Sequence, residues 1–157
     1  MGIHMENEIV QLLKSRGLTV TCAESCTGGL LSGRIINVPG VSDVYKAGFV
    51  TYSNEAKHKV LGVKNRTLKK FGAVSPQTAH EMAAGAARAA KSDVALSVTG
   101  IAGPDGGTPE KPVGLVYIGC SVKGKVTVEK CQFFGSRGEI REASVEAALK
   151  LLQKCLG

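Results

Sequence analysis

Three short segments of this 157-residue chain hold side chains able to do chemistry. The first, Ala23-Glu24-Ser25-Cys26-Thr27-Gly28-Gly29, joins an apolar run to a helical stripe. Its hydroxyls and N–H groups therefore sit at the positive end of a helix, where an anion binds readily. Serine and threonine also cap helices with no ligand involved. Gly28 and Gly29 would each cost up to ~1 kcal/mol in a first turn, which points to close approach by another group.

The second segment, Tyr52-Ser53-Asn54-Glu55-Ala56-Lys57, puts a lysine in the first turn of a helix capped by Ser53 or Asn54. The dipole there disfavours its ammonium form. A neutral amine near pH 7–8, fit to act as a base, needs a depression of roughly 2–3 units, supplied by desolvation and a nearby positive charge. The alternative is an ordinary solvated lysine. The third segment, Ser97 to Gly114, is rich in glycines that let backbone approach a ligand and in prolines that stiffen it. Structureless loops of this length are generally functional or disordered, and the prolines favour function. Ser42, in the turn Val38-Pro39-Gly40-Val41-Ser42, lies just upstream of the lysine segment. Arg137 and Arg141 flank the start of the last helix; Arg137 is placed to receive a phosphate, and Arg141 to do so or to pair with Glu142.

What is missing narrows the chemistry further. With His58 and His80 the only histidines beyond His4, an HExxH metalloprotease is excluded and a Ser-His-Asp triad is disfavoured. Neither a Gly-Lys-Ser/Thr phosphate loop nor a G-x-G-x-x-G signature occurs. Five cysteines, an odd number with no secretory signal, are expected as reduced thiols, and no second pair completes a zinc site around Cys22 and Cys26. No metal or cofactor is expected. A net charge of +7 favours anionic partners, yet three Tyr, four Phe and no Trp make a poor base-stacking platform, so nucleic acid is disfavoured. No apolar run approaches the roughly 20 residues of a membrane span, and a cytoplasmic protein is expected. Met1 to His4 reads as a leader, with Met5 the native start.

The elements that must position these groups follow from periodicity. Helical stripes are expected over Glu6–Ser15, Leu30–Ile36, Ser53–Leu61, Ser75–Ala90 and Arg137–Leu156. Strands are expected over Leu18–Ala23, Ala47–Tyr52 and Asp93–Val98, with a hairpin of Val113–Val122 and Lys125–Phe134 turning at Lys123-Gly124. Strands alternating with helices and then one hairpin predict a single α/β domain: three layers, α/β/α, around a mixed sheet with a parallel part and an antiparallel hairpin. In such sheets ligands sit at the strands' C-terminal ends.

Four blocks together, AESCTGG, GFVTYSNEAK, GAVS at Gly72–Ser75 and SVTGIAGPDGGTPEKPVG, resemble the C-terminal domain family of the competence/damage-inducible protein CinA. Members of that family include nicotinamide mononucleotide (NMN) deamidases. The likeness runs from about Glu6 to Leu156. It implies an amidohydrolase that converts the carboxamide of NMN to nicotinic acid mononucleotide and ammonia through a Ser/Lys pair. Ser25, Ser42, Tyr52, Lys57 and Thr99 match the family's functional set, with an arginine at Arg137 or Arg141.

On this reading a serine attacks the amide and neutral Lys57 takes its proton. Ser42 is the favoured nucleophile and Ser25 the close rival. Tyr52 relays a proton, and Thr99's hydroxyl or the N–H groups near Thr99-Gly100 hold the oxyanion. Thr27, Gly28, Gly29, Gly100, Gly103 and Arg137 or Arg141 bind the nucleotide, with the phosphate at the far end of the pocket from Lys57. A homo-oligomer is expected. Two other readings stay open: a non-catalytic nucleotide- or DNA-binding regulator, and a cysteine hydrolase built on Cys26.

Overall fold

A computed structural model describes residues 4–157; Met1 to Ile3 of the expected leader lie outside the described residues. Helix α1 (Met5–Arg16) buries Ile9, Val10 and Leu13 at helical spacing and stops at Gly17, whose φ of 65° closes the last turn. Strand β1 (Val20–Glu24) is buried on both faces. Then come α2 (Leu30–Ile36), a 3-10 turn at Val41–Asp43, β2 (Phe49–Val50), α3 (Asn54–Leu61), α4 (Asn65–Phe71) and α5 (Pro76–Ala90). Strand β3 (Val94–Gly100) leads to the β4/β5 hairpin (Leu115–Val122, Lys125–Gln132), and α6 (Arg137–Leu156) closes the chain.

The sheet runs in the order β2-β1-β3-β4-β5. Strand β1 is parallel to both β2 and β3, while β3–β4 and β4–β5 are antiparallel. Helices α1, α2 and α6 cover one face, and α5, backed by α3 and α4, covers the other. The expected three-layer α/β/α domain with a mixed sheet is what the chain forms. After β1 the chain leaves through α2 on one face to reach β2, then returns through α3–α5 on the opposite face to β3. That reversal opens a crevice at the C-terminal ends of β1 and β3.

Two local expectations change. The strand expected at Ala47–Tyr52 is only Phe49–Val50, because this edge strand pairs solely with the end of β1, through Ala23 and Glu24. Helix α4 was not legible in the periodicity: it buries only Thr67 and Leu68 and is otherwise a polar surface turn. Among the described residues, no helix is long and apolar enough to cross a membrane.

Candidate active site

Lys57 is buried. Ser53 caps α3 by accepting from the Ala56 N–H, and four residues on, Lys57 turns inward with 1% of its surface exposed. Its Nζ lies 3.1 Å from Ser25 Oγ, 3.0 Å from the Thr51 carbonyl and 3.1 Å from the Tyr52 carbonyl. An ammonium would donate to all three. A neutral amine would donate to the two carbonyls and turn its lone pair to the Ser25 hydroxyl, which is the geometry of a general base. Burial pulls its pKa down to about 8. Desolvation does this without the neighbouring cation that had been expected.

Ser25 is held by the turn that follows β1. Its N–H donates to the Val98 carbonyl, and its own carbonyl accepts from Gly28. The Glu24 carboxylate, fully buried, accepts from the N–H groups of Gly29, Leu31 and Ser32. Gly28 and Gly29 take φ of 55° and 106°, which lets the chain fold back over that carboxylate. The expected phosphate cradle at Gly28-Gly29 is thereby corrected: both N–H groups are taken, and the anion at this helix end is the protein's own glutamate. Arg141 is corrected too. Its guanidinium donates to the Cys26 and Thr27 carbonyls at 2.9 and 3.1 Å, clamping the turn from α6 instead of binding phosphate or Glu142. Thr27 is wholly buried, and its hydroxyl has no partner among the described residues.

Ser42 does not meet Lys57. It is exposed on the 3-10 turn, near the bridge between Val20 and Tyr45, where β1 begins. Five strand residues, roughly 16 Å, separate Val20 from Ser25. The turn before β2 thus arrives at the wrong end of the sheet, and the serine beside the amine is Ser25.

Thr99 lies against the same pocket, but its hydroxyl donates to the Ala73 carbonyl at 2.8 Å, so the expected oxyanion contact through that hydroxyl is corrected. What it does is pin the Ala73-Val74 wall. The backbone at Gly100 is better placed. Ile101 N–H donates to the Leu115 carbonyl, so by ladder alternation Gly100 N–H turns away from β4, toward the side where β1 has ended. A Cβ at Gly100 would fall 2.6 Å from a Val116 methyl, hence the glycine.

The pocket encloses about 200 Å³ between Ser25, Lys57, Thr99, Gly100, Tyr52 and Arg137. Other hollows are larger, including one of about 630 Å³ beside α1 and α2, but that one is lined by no serine, threonine or cysteine. Arg137 spans the rim, donating to the Gly103 carbonyl at 2.8 Å and to the Tyr52 phenol at 3.3 Å. Gly103 meets Arg137 through its carbonyl, and Tyr52 meets Lys57 through its backbone carbonyl while its phenol faces Arg137. Cys26 borders the pocket, yet burial pushes its thiol up to about 11 and no histidine pairs with it. The residues missed in the sequence are Thr51, whose carbonyl holds the amine, Glu24, and the Ala73-Val74 wall. The quoted blocks contain Thr51, Glu24 and Ala73-Val74, but their side-chain types alone announce no chemistry.

Residues 3–156 match the CinA C-terminal domain family. The chain belongs to that family. The CinA-like protein of Kosmotoga olearia is 56% identical over 152 residues, covering 97% of this chain and 37% of that protein. A putative competence-damage inducible protein of Clostridium beijerinckii is 53% identical, with 98% and 38% covered. The CinA domain described here therefore spans less than two-fifths of the length of those curated relatives. Among solved structures, the competence/damage inducible protein CihA of Agrobacterium tumefaciens superposes with a TM-score of 0.90 at 43% identity, covering 98% of each chain. A CinA superfamily protein of Klebsiella pneumoniae superposes at 0.93 with 33% identity, covering 97% of this chain and 95% of that one.

Proposed function

We propose that this CinA domain hydrolyses the carboxamide of a nicotinamide mononucleotide through a Ser25/Lys57 pair. The observation that carries this reading is the buried Lys57 amine 3.1 Å from the Ser25 hydroxyl. Lys57 takes the hydroxyl proton as Ser25 Oγ bonds to the amide carbon; the C–N bond then breaks, and the proton leaves with ammonia. Water, activated by the same amine, hydrolyses the acyl-serine to the carboxylate and frees Ser25. The Gly100 N–H is the donor best aimed at the oxyanion, a role worth about 3–4 kcal/mol for a well-aligned donor.

At about 200 Å³ the pocket is smaller than the ~300–1,000 Å³ of sites that engulf a whole ligand. It suits a pyridine ring with its carboxamide, leaving ribose and phosphate to cross the rim at Tyr52 and Arg137. This order sets the phosphate away from Lys57, where a negative charge would raise the amine's pKa, and brings the cationic ring near, where it lowers it.

A second reading, a nucleotide- or DNA-binding regulator, is favoured by the placement of charge. Seven exposed cations, among them Lys64, Arg66, Lys69 and Lys70, lie between residues 55 and 91 against only Glu55 and Glu81. Ammonia release from NMN, with free nicotinamide as control, separates the two. Turnover of NMN that is lost in Ser25→Ala supports the amidase. No ammonia, with DNA binding that weakens steeply with salt, supports the regulator and overturns the amidase.

A further inference from the structure

Far from the pocket, two cysteines share the boundary between sheet and helix. Cys120 sits in the middle of β4, fully buried on the face covered by α6, and Cys155, in the last turn of α6, is partly exposed. Cys155 packs against the core cluster that contains Cys120, and it shares a groove with Thr127, the residue paired with Cys120 across the hairpin. Cys155 also borders a groove of about 320 Å³ with Val122, Lys125, Thr127, Leu151 and Lys154, so a small solute reaches it from solvent between two lysines.

Strand register rules out Cys22 and Cys131 as partners for Cys120. Cys22 and Cys120 both pair with Leu96, from opposite sides of β3, which sets them two strand spacings, roughly 9.6 Å, apart. Cys131 lies opposite Val116 while Cys120 lies opposite Thr127, four residues or roughly 13 Å along the hairpin. Both separations exceed the reach of a disulfide, about 7 Å between Cα atoms.

We propose that Cys120 and Cys155 are an oxidisable dithiol that staples the end of α6 to the sheet. A hydroperoxide entering the groove takes the Cys155 thiol to a sulfenic acid and leaves as the alcohol. The Cys120 thiol then attacks that sulfur, the S–S bond forms, and water departs with the Cys120 proton. Two thiols are oxidised, one O–O bond is reduced, and a thiol reductant reverses the change. Cys155 borders the groove while Cys120 is fully buried beneath it, which makes Cys155 the point of attack and Cys120 the resolving partner.

The staple would close a loop of thirty-five positions, restricting the unfolded chain. It lies eighteen residues, roughly 27 Å of helix, from Arg137 at the other end of α6, so its effect falls on stability and not on the pocket.

The experiment treats the full chain with hydrogen peroxide, blocks remaining thiols with an alkylating agent, and maps linked peptides by mass spectrometry alongside thermal melts. The expected result is a loss of two hydrogens in a Cys120–Cys155 peptide, with Tm raised by roughly 5–12 °C and restored by dithiothreitol. Cys131→Ser should behave as the parent, and Cys155→Ser should give neither link nor shift. Oxygen addition at Cys155 without a link, a link through another cysteine, or a link without a rise in Tm would each overturn the proposal.

Discussion

Toward α1, α2 and α6, β1 and β3 present Val20, Cys22, Val94, Leu96 and Val98 to a core of Ile9, Leu13, Leu31, Ile35, Leu149 and Leu152. Toward α5 the same two strands present Thr21, Ala23, Ala95, Ser97 and Thr99, against Ala79, Met82, Ala83 and Ala86. The first face fills space with branched aliphatics, and each buried side chain adds apolar burial in the usual proportion. The second brings backbones close. Ser97 donates to the Ala79 carbonyl on α5 at 2.7 Å, and Gly119 leaves that contact room, since a Cβ there would fall 2.8 Å from the same carbonyl. Ser25 and Thr99 continue this small, hydroxylated face beyond the end of β1, and α3, seated on α5, brings in Lys57. One face fills space; the other draws helix and sheet backbones together, the close positioning that the proposed Ser25/Lys57 pair needs.

Lys57→Met breaks the contrast most severely. Loss of the base should lower kcat for ammonia release by about 10²–10⁴. It should also change the pH dependence of stability. In the parent, the amine's folded pKa of about 8 lies below its ordinary 10.5, so the folded protein sheds the proton first. The cost of burying the charge is fully present below pH 8 and is relieved between pH 8 and 10.5. Urea denaturation should therefore show the parent gaining up to about 3 kcal/mol over Lys57→Met across that window.

Leu149→Ala tests the opposite face. It should cost about 2–5 kcal/mol in urea, with kcat and KM of the folded protein within about twofold of the parent. Gly85→Ala, on α5, sharpens the contrast, because its Cβ would fall 1.8 Å from the Leu61 carbonyl at the end of α3. The helix must shift and take Lys57 with it. A loss of about 1–3 kcal/mol should come with a fall in kcat of about 10–100-fold and little change in KM. Smallest of all, Ser42→Ala should leave stability within about 0.5 kcal/mol and turnover unchanged. A large loss of kcat in Ser42→Ala would return the nucleophile to that turn.

Much of this was legible in the chain itself. Apolar spacing located α1, α3, α5 and α6 to within a residue or two, and the Lys123-Gly124 turn fixed the hairpin. The poverty of histidine and the position of Lys57 in a first turn singled out the lysine that lies buried beside a serine. Which serine faces it was not legible, because that depends on which end of β1 the turn at Ser42 reaches, a long-range register set by the Val20–Tyr45 bridge. Nor could spacing show that Glu24 would fold back onto its own helix end, or that Arg141 would cross from α6 to the Cys26 and Thr27 carbonyls. A glycine pair at a helix start looks the same in sequence whether the anion it meets is a ligand or a neighbouring side chain.

The pH profile of kcat/KM for ammonia release from NMN tests the Ser25/Lys57 pair most directly. With Lys57 titrating near 8, the rate should rise about eight- to tenfold from pH 7 to 9 along a single ionisation and then level. A rate that is flat across that range, or that falls as the amine loses its proton, would contradict a neutral Lys57 acting as the base.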